Sequence, residues 1–293
     1  MTDRKSDLYE IIEFNLTVSG RVHFEMFHDS RRYEAPHWHD ALEIISLTEG
    51  ELLVSMEGQQ YRLQEGNCII LPAYSVHSTL STRGNSSLLL QVPVDAFSEC
   101  IASLEKTRIF CDPFTRDPER QKCLERIKYL LRKIMETQTD SEPAAGLRSA
   151  CLVLEIMYVI YTGLSSAEEM SSSLASNRKN RERMSSVLAY TEAHYNEPVS
   201  LEDVAGELHL QVNYFCHLFK ENTGMTYLQY LNEYRLGRIY QDLMETDMPL
   251  KFLLEKHGFT NYKLFRRMFF DRFGATPGEL RKNAGNAAAE GKV

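Results

Sequence analysis

Three histidines and one glutamate in the N-terminal part of the chain have a spacing that could bind a ligand. His37, His39 and Glu43 lie within seven residues of one another, and His77 follows Pro72 by five residues. Successive side chains of a β-strand point to opposite faces, so His37 and His39 would point to the same side of a strand. Imidazole and carboxylate groups can bind a divalent metal ion or hydrogen-bond a small organic ligand.

The full pattern resembles the two motifs of the cupin barrels. These motifs read here as His37-x-His39-x3-Glu43-x6-Gly50 and Gly66-x5-Pro72-x4-His77. The chain departs from the cupin pattern at Tyr74, where glycine is usual, and at Ser81, where asparagine is usual. Three interpretations stay open. The polar residues close the barrel by hydrogen-bonding one another, they bind an organic effector, or they bind a divalent metal with or without enzyme activity.

A second set of residues that could bind a ligand lies near the C-terminus, in a sequence pattern that occurs twice. The two copies, 50 residues apart, read Tyr214-Phe215-x2-Leu218-Phe219-x4-Gly224-x-Thr226 and Leu264-Phe265-x2-Met268-Phe269-x4-Gly274-x-Thr276. The apolar residues recur on one face of a helix, and each glycine suits a left-handed helix end. The other faces carry the hydrogen-bonding residues Asn213, His217 and Lys220 in the first copy and Lys263, Arg266 and Arg267 in the second. Because arginine and lysine read guanine and asparagine reads adenine in the major groove, the pattern predicts two DNA-reading helices.

The rest of the chain indicates the elements that hold these two sets of residues. Short apolar runs with closely spaced turns over residues 8–95, such as Leu42–Leu47 and Leu52–Met56 with a turn at Glu49-Gly50, predict an antiparallel barrel or jelly roll, in a domain over residues 1–110. Apolar stripes over 117–139 and 143–164 predict an antiparallel helical pair in the segment 111–164. A serine-rich, charged stretch at 165–183 is expected to be a linker. A helical domain at 184–283 and a disordered tail at 284–293 complete an α+β, multidomain chain.

The C-terminal part resembles the AraC/XylS family of bacterial transcription regulators, over roughly Met184 to Asn283. The resemblance rests on Leu201-Glu-Asp-Val-Ala205 and Thr223-Gly-Met-Thr226 in the first copy, and on Gly258-Phe259, Thr276-Pro277 and Arg281 in the second. It implies seven helices, with two helix-turn-helix units joined by a long helix.

The same resemblance implies roles for individual residues. Contacts with base edges would come from Asn213, His217, Lys263 and Arg267. Cys216 and Arg266 would contact either bases or the DNA backbone, and Lys220 would contact a phosphate. The chain departs from the family at Leu254, where alanine is usual, at Phe270, where lysine is common, and at Leu280, where tyrosine is common. We expect Phe270 to be partly exposed.

The amino-acid composition limits the classes of protein to which this chain can belong. A hydrophobic content of 43% and a charged content of 25% are typical of a soluble globular protein, and no run approaches 18 apolar residues. The N-terminus leads to no secretory segment, and the six cysteines form no CxxC pair, as expected of reduced thiols in a cytoplasm. The net charge of −8 argues against a general nucleic-acid binder, but four basic residues and one acid lie between Lys263 and Arg272.

Together these patterns predict a one-component, cytoplasmic transcription regulator. Its barrel would sense a small molecule, with a sugar or related metabolite as the favoured class, through His37, His39, Glu43 and His77. The expected partners are operator DNA, a second copy of the chain that meets the first through the helical pair, and RNA polymerase if the protein is an activator. No catalytic residue and no certain cofactor are expected, although a divalent metal in the barrel stays open. The alternative is a cupin metalloenzyme, an isomerase or dioxygenase, fused to a DNA-binding domain.

Overall fold

The computed structural model describes residues 10–15, 21–29, 32–56, 58–81, 84–97, 107–138, 144–169 and 178–282. The chain forms two compact units. One comprises Met1–Arg31 and Trp38–Arg178, and the other comprises Lys179–Val293 with the short segment Arg32–His37.

β-Strands dominate the N-terminal half of the chain. They are β1 (Glu10–Asn15), β2 (Arg21–Asp29), β3 (Tyr33–His37), β4 (Ala41–Met56), β5 (Gln59–Gln64), β6 (Cys68–Leu71), β7 (His77–Leu80), β8 (Asn85–Pro93), β9 (Thr107–Ile109) and, later in the chain, β10 (Ser165–Glu169). The main sheet has the order β1-β2-β8-β4-β7-β3, β5 and β6 also pair with β4, and β9 pairs with β10. The predicted antiparallel β domain is confirmed.

The long strand β4 organises this sheet. The sequence suggested two strands separated by a turn at Glu49-Gly50, but residues Ala41–Met56 form one strand of 16 residues. The register of β4 against β8 shifts between Leu47 and Glu49, as at a β-bulge. A bulge bends a strand and increases its twist. The first half of β4 therefore pairs with β6 and the second half with β5 and β7.

The predicted helical pair is present, and its two helices cover one face of the sheet. They are α1 (Pro118–Gln138) and α2 (Ala145–Gly163). Their buried side chains join those of the sheet in one apolar cluster, which includes Phe24, Ile44, Leu90, Leu131 and Ile156. Truncating a buried leucine or isoleucine of such a core to alanine costs about 2–5 kcal/mol. The helical pair is therefore part of the core of this unit.

Helix α2 has a second apolar face, which is exposed. By length and composition alone α2 could cross a membrane, and about 28% of the apolar window is buried inside the structure. Its inner face, with Val153, Ile156 and Ile160, packs in the core just described. Its outer face leaves Leu147 and Tyr158 70% and 68% exposed.

The second unit is helical. Its helices are α3 (Arg178–His194), α4 (Leu201–Glu207), α5 (Val212–Thr223), α6 (Tyr227–Glu245), α7 (Leu250–Lys256) and α8 (Tyr262–Phe273), followed by a helical turn at 277–282. Ser200 and Asp203 form the capping box that opens α4. Gly224 and Gly274 end α5 and α8 with φ angles of 74° and 65°, so the predicted left-handed helix ends are confirmed.

The turns inside the two helix-turn-helix units are not identical. Helices α4 and α5 are separated by residues 208–211, whereas α7 and α8 are separated by residues 257–261, one residue more. Each turn passes through a left-handed residue, His209 at φ 53° in the first and Gly258 at φ 66° in the second. A Cβ on Gly258 would overlap the backbone of Asn196, so only glycine fits there. His209 adopts the same conformation at a cost of about 1–2 kcal/mol.

The range predicted to be a linker, 165–183, is structured at both of its ends. Residues Ser165–Glu169 form β10, and α3 begins at Arg178. The residues between them, and the predicted tail at 284–293, lie outside the described part of the chain. No disulfide joins the described cysteines Cys68, Cys111, Cys123, Cys151 and Cys216, and Cys100 lies outside the described residues.

Candidate DNA interface and barrel cluster

The two predicted DNA-reading helices are α5 and α8, and each buries one aromatic face. The buried residues are Phe215, Leu218 and Phe219 in α5, and Phe265, Phe269 and Phe273 in α8. Adjacent rings within each face are in contact, with centroid distances of 5.9 Å for Phe215–Phe219 and 5.3 Å for Phe265–Phe269. The burial of these rings decides which side of each helix remains in water.

The opposite sides of α5 and α8 carry the residues predicted to touch DNA. The exposed ones are Asn213, His217, Lys220, Lys263, Arg266 and Arg267, and Cys216 is half-buried. Nδ1 of His217 lies 3.6 Å from Oε2 of Glu221, but both side chains are largely exposed. An exposed ion pair of this kind is worth at most about 1 kcal/mol, so it does not hold His217 away from a ligand. Contact of these residues with DNA stays a prediction.

One arginine of the basic stripe is held inside the unit. Nη2 of Arg272 lies 2.9 Å from Oε1 of Glu233 on α6, and each side chain is only 17% exposed. The stripe between Lys263 and Arg272 therefore offers three exposed cations rather than four.

Two aromatic side chains flank those cations on the surface of α8. Phe270 is 56% exposed, as expected, and Tyr262, which sequence reasoning did not single out, is 53% exposed. A shallow cleft of about 380 Å³ is lined by Tyr262, Lys263, Arg266, Arg267, Phe270, Thr276 and Pro277. Of the other two departures from the family, Leu254 is buried and Leu280 is half-buried. The second copy therefore exposes two aromatic rings and three cations, whereas the first exposes one aromatic ring, Tyr214, and one cation, Lys220.

The predicted ligand residues of the barrel meet in a polar cluster. Oε2 of Glu43 accepts a hydrogen bond from Nε2 of Gln91 at 2.7 Å, lies 2.9 Å from Nε2 of His39 and 3.9 Å from Nε2 of His77. One ring nitrogen each from His37, His39 and His77 lies within 4.8 Å of the other two. All four residues that the sequence singled out are thus brought together.

Strand parity explains why a charged residue is buried here. Glu43 lies on the same side of β4 as Ile45 and Leu47, which belong to a buried apolar cluster with Val54 and Leu63. Glu43 is 5% exposed and His77 is 1% exposed. A buried carboxylate needs partners that satisfy its charge, and the surrounding imidazoles and amide supply them.

The charge distribution within the cluster follows from these contacts. Burial alone would raise the pKa of Glu43, but the hydrogen bond from His39 and the charges of His77 and His39 lower the pKa to about 2. Burial alone would lower the pKa of His39, but its contact with Glu43 and the carbonyl of Ala41 raise that pKa above 6.5. The contact between His39 and Glu43 therefore favours the charged form of each side chain.

Gln91 is a member of this cluster that sequence reasoning missed. It lies opposite Glu43 in the pairing of β8 with β4. The available signal was a single polar residue inside the apolar run Leu88–Val92. That signal identifies a site only when the register between the two strands is known.

The aromatic rings of Trp38 and Tyr74 lie beside the cluster, and Tyr74 is the residue that replaces the usual glycine of the cupin motif. The ring centroids of Trp38 and Tyr74 are 5.3 Å apart. Tyr74 has a φ of 63°, in the left-handed region that the usual glycine would enter without cost. The amide of Tyr74 donates to the carbonyl oxygen of His39 at 2.8 Å, which ties this turn to the cluster. Trp38 is the chain's single tryptophan, so its fluorescence reports on this region.

Comparison with known proteins gives two family matches. Residues 19–156 match the AraC-like ligand binding domain, and residues 204–283 match a helix-turn-helix domain. The chain is 23% identical over 255 residues to the transcriptional activator RhaS of Enterobacter sp. (strain 638), covering 84% of this chain and 87% of that protein. It is 24% identical over 260 residues to the transcriptional regulator ExsA of Pseudomonas aeruginosa, covering 83% and 87% of the two chains.

The fold is also similar to a solved structure. ToxT from Vibrio cholerae matches with a TM-score of 0.51 and 9% identity, over 89% of this chain and 97% of that one. The two family matches, with relatives that align across both domains, show that the chain belongs to the AraC/XylS family of transcriptional regulators and carries a ligand-binding domain ahead of its helix-turn-helix domain.

Proposed function

We propose that this regulator binds operator DNA through the exposed faces of α5 and α8 and changes that binding when a small-molecule effector enters the barrel cluster. The observation that carries the proposal is the doubled helix design. Both helices bury an aromatic face and expose hydrogen-bonding or cationic side chains on the other. Short helices that expose such residues can enter the major groove and contact base edges.

The two helices are proposed to contribute unequally. Lys263, Arg266 and Arg267 place three exposed cations on α8, whereas α5 has the cation Lys220 beside the neutral Asn213 and His217. Phosphate contacts by cations supply much of the affinity for DNA, and contacts to base edges supply specificity. We therefore expect α8 to anchor the protein electrostatically, and α5 to add contacts that depend little on salt.

The effector is proposed to bind at His37, His39, Glu43 and His77. The cluster offers imidazole nitrogens, a carboxylate and the amide of Gln91, which can hydrogen-bond hydroxyl or carboxylate groups. A sugar or a related metabolite matches that chemistry. Trp38 and Tyr74 would lie beside such a ligand.

A second copy of the chain is proposed to bind along the outer face of α2. Leu147, Cys151, Leu154, Tyr158 and Tyr161 are exposed on this helix. Their alternating spacing of four and three residues is that of the a and d positions of a coiled coil. Exposed apolar side chains with that period are expected to pack against the same face of another protomer.

We also propose that the barrel has no catalytic role and that the protein works in the cytoplasm, where it meets DNA. The relatives that align over both domains are named as regulators, which favours this over the metalloenzyme alternative. RhaS is named as an activator, so contact with RNA polymerase is a further expected partnership.

The experiment that tests the function uses DNA that the purified full chain selects from a random pool. Its affinity is measured by fluorescence anisotropy with and without each member of a panel of sugars and related metabolites. Binding of an effector to the native chain also raises the thermal midpoint by mass action. The expected result is one class of metabolite that shifts both the midpoint and the DNA affinity, with both responses lost in His39→Gln and kept in His28→Gln. A chain that selects no DNA sequence, or whose selected DNA binds equally with every metabolite, would contradict the proposal.

A further inference from the structure

We propose that two aromatic residues of α8, Tyr262 and Phe270, read thymine by taking its 5-methyl group into the cleft that their rings line. This cleft of about 380 Å³ lies on the face of α8 that carries the exposed cations Lys263, Arg266 and Arg267. The inference rests on the proposed function, because it takes that face of α8 to be the one that meets DNA. It adds the base that the apolar part of the face recognises.

Packing within the helical unit leaves both rings in water. Tyr262 is 53% exposed and Phe270 is 56% exposed, although α8 buries three other phenylalanine rings. Exposed apolar surface is unfavourable in water, and the free energy is recovered when a ligand covers that surface. A single exposed ring is common on a soluble protein, but two rings that line one cleft form a patch to which a ligand can bind.

Helical spacing places the two rings along one side of α8. Tyr262, Arg266 and Phe270 recur every four residues, so they follow one ridge of the helix. Thr276 and Pro277, which follow the helix, line the same cleft. The exposed rings therefore border a concave surface, into which a small projecting group of a ligand fits.

The ring of Tyr262 is positioned by a buried neighbour. Its centroid lies 6.3 Å from that of Phe265, with an angle of 26° between the two ring planes, and Phe265 is fully buried. Tyr262 is also the first residue of α8. In helix-turn-helix proteins the N-terminal residues of the recognition helix contact base edges. Tyr262 thus holds an apolar ring at the end of α8 that meets the bases.

The chemistry of the major groove selects thymine for this cleft. Base edges there present hydrogen-bond donors and acceptors, and thymine adds a 5-methyl group, the apolar group that projects into the groove. The phenyl ring of Phe270 makes no conventional hydrogen bond, so among base edges it favours that methyl group. Lys263 and Arg267 beside it favour phosphates and guanine. The face therefore combines a site for guanine with a site for thymine.

The length of the cleft limits how far apart these two bases lie. Tyr262 and Phe270 are eight residues apart, which corresponds to about 12 Å along the helix axis. Base pairs follow one another at about 3.4 Å, so the face spans at most about four of them. We expect the DNA that the chain selects to contain a thymine within about four base pairs of the guanine read by Arg267.

The first test removes the methyl group from the DNA and the rings from the protein. In the DNA that the full chain selects from a random pool, each thymine is replaced singly by deoxyuridine, which lacks only the 5-methyl group. One such replacement should lower the affinity, measured by fluorescence anisotropy, roughly threefold to fivefold, the effect of one buried methyl-sized group. That loss should shrink to below about twofold in Tyr262→Ala and in Phe270→Ala. For the unaltered chain, 5-bromodeoxyuridine at that place should restore the affinity, because bromine is close to methyl in size.

The matched control is Phe252→Ala, which removes a 51% exposed aromatic side chain of α7 and should keep the full loss with deoxyuridine. Both rings of α8 are more than half exposed, so their alanine variants are expected to fold. A native chain that is insensitive to every deoxyuridine would overturn the proposal. So would a full loss that persists in either α8 variant.

A second measurement uses only the unaltered chain. Irradiation of its complex with DNA that carries 5-bromodeoxyuridine at the sensitive thymine cross-links that base to a side chain in contact with it. Trypsin places Tyr262 in the peptide 257–263 and Phe270 in the peptide 268–272. We expect the cross-link in one of these two peptides. A cross-link elsewhere in the chain, or none, would overturn the proposal.

These outcomes are distinguishable from a failure of the proposed function. A chain that selects DNA and responds to an effector, but is insensitive to deoxyuridine, would overturn only the reading of thymine. A chain that selects no DNA sequence would overturn the proposed function and the reading of thymine with it.

Discussion

At the scale of single residues, burial decides what each arginine of the second unit can do. Arg267 and Arg272 lie five residues apart on α8, yet Arg267 is exposed while Arg272 pairs with Glu233. Arg235 of α6 is also engaged within the unit, because its guanidinium donates to two backbone carbonyl oxygens at 2.6 and 2.7 Å. Arginines that join helices stabilise the unit, so only the exposed ones can contact DNA.

A prediction for DNA reading follows from this distinction. Arg267→Ala should lower affinity for the selected DNA by about 1–3 kcal/mol and relax one base preference, because a bidentate contact with guanine would be lost. Anisotropy titrations with that DNA and its single-base variants measure both effects. Lys251→Ala removes an exposed cation of α7 instead and should change neither. Unchanged affinity and selectivity in the Arg267 variant would exclude its role as a base reader.

His257 gives a prediction about pH. This buried side chain lies 2.7 Å from Asp242 and 3.3 Å from the hydroxyl of Tyr195. Burial, with the nearby charges of Lys256 and Arg238, holds the pKa of His257 below 6.5 although Asp242 acts to raise it. The unfolded chain therefore takes up a proton before the folded chain does, so stability is fully present above about pH 6.5 and is lost as pH falls through the lower, folded pKa.

The measurement is urea unfolding of the full chain between pH 7 and pH 5, with hydrogen exchange assigning the transition to the helical unit. His257→Gln keeps hydrogen-bonding atoms near Asp242 but does not titrate, so we expect a shallower loss of stability towards pH 5. His217→Gln, an exposed histidine of the same unit, serves as the control and should keep the steeper loss. An equal pH dependence in the native chain and the His257 variant would contradict the assignment.

At the scale of secondary-structure elements, the number of apolar faces on a helix predicts what it can pack against. Helices α5 and α8 have one buried face each, which leaves their other face for solvent or DNA. Helix α2 has a buried face in the core and an exposed apolar face, so it is the element expected to pack on both sides. The exposed face has the period of a coiled-coil seam.

The seam predicts the outcome of a charge substitution. Leu154→Glu should shift the chain from dimer to monomer, because a carboxylate at the centre of the seam would be buried without a partner. Sedimentation equilibrium measures the change. Lys122→Glu puts an acidic side chain on the exposed surface of α1 instead and should leave the association constant unchanged. A native chain that is monomeric at all concentrations, or a Leu154 variant that dimerises equally well, would contradict the proposed interface.

At the scale of the whole molecule, the net charge opposes DNA binding, whereas the local charge of α8 favours it. The chain has a net charge of −8, yet α8 carries three exposed cations. Repulsion between an acidic protein and DNA is long-ranged and screened by salt, whereas local phosphate contacts release counterions. Affinity should therefore depend strongly on the exposed cations of this helix.

The salt dependence of DNA affinity should distinguish the contribution of α8 from that of α5. The slope of log affinity against log salt changes by about 0.9 for each phosphate contact. Lys263→Ala combined with Arg266→Ala should make that slope shallower by up to about 2. Asn213→Ala combined with His217→Ala removes two hydrogen-bonding side chains and no lysine or arginine, so it should weaken binding with little change of slope. Equal slopes for both double variants would exclude electrostatic anchoring by α8.

The periodicity of the sequence was sufficient to predict several features of both units. It predicted the β domain, the helical pair, the doubled helix-turn-helix and the outward faces of α5 and α8. The His-x-His-x3-Glu spacing also predicted the barrel cluster. These features could be predicted because strand parity and helical period are local, so neighbours in sequence indicate which side of an element is apolar.

Only the tertiary structure decided features that depend on residues far apart in the chain. Gln91 joins Glu43 because of the register between β8 and β4. Arg272 leaves the basic stripe because Glu233 lies beside it, and β4 runs unbroken because a bulge takes the place of the expected turn. The physical reason is that a side chain's partner, unlike its outward or inward direction, depends on long-range packing that no local pattern specifies.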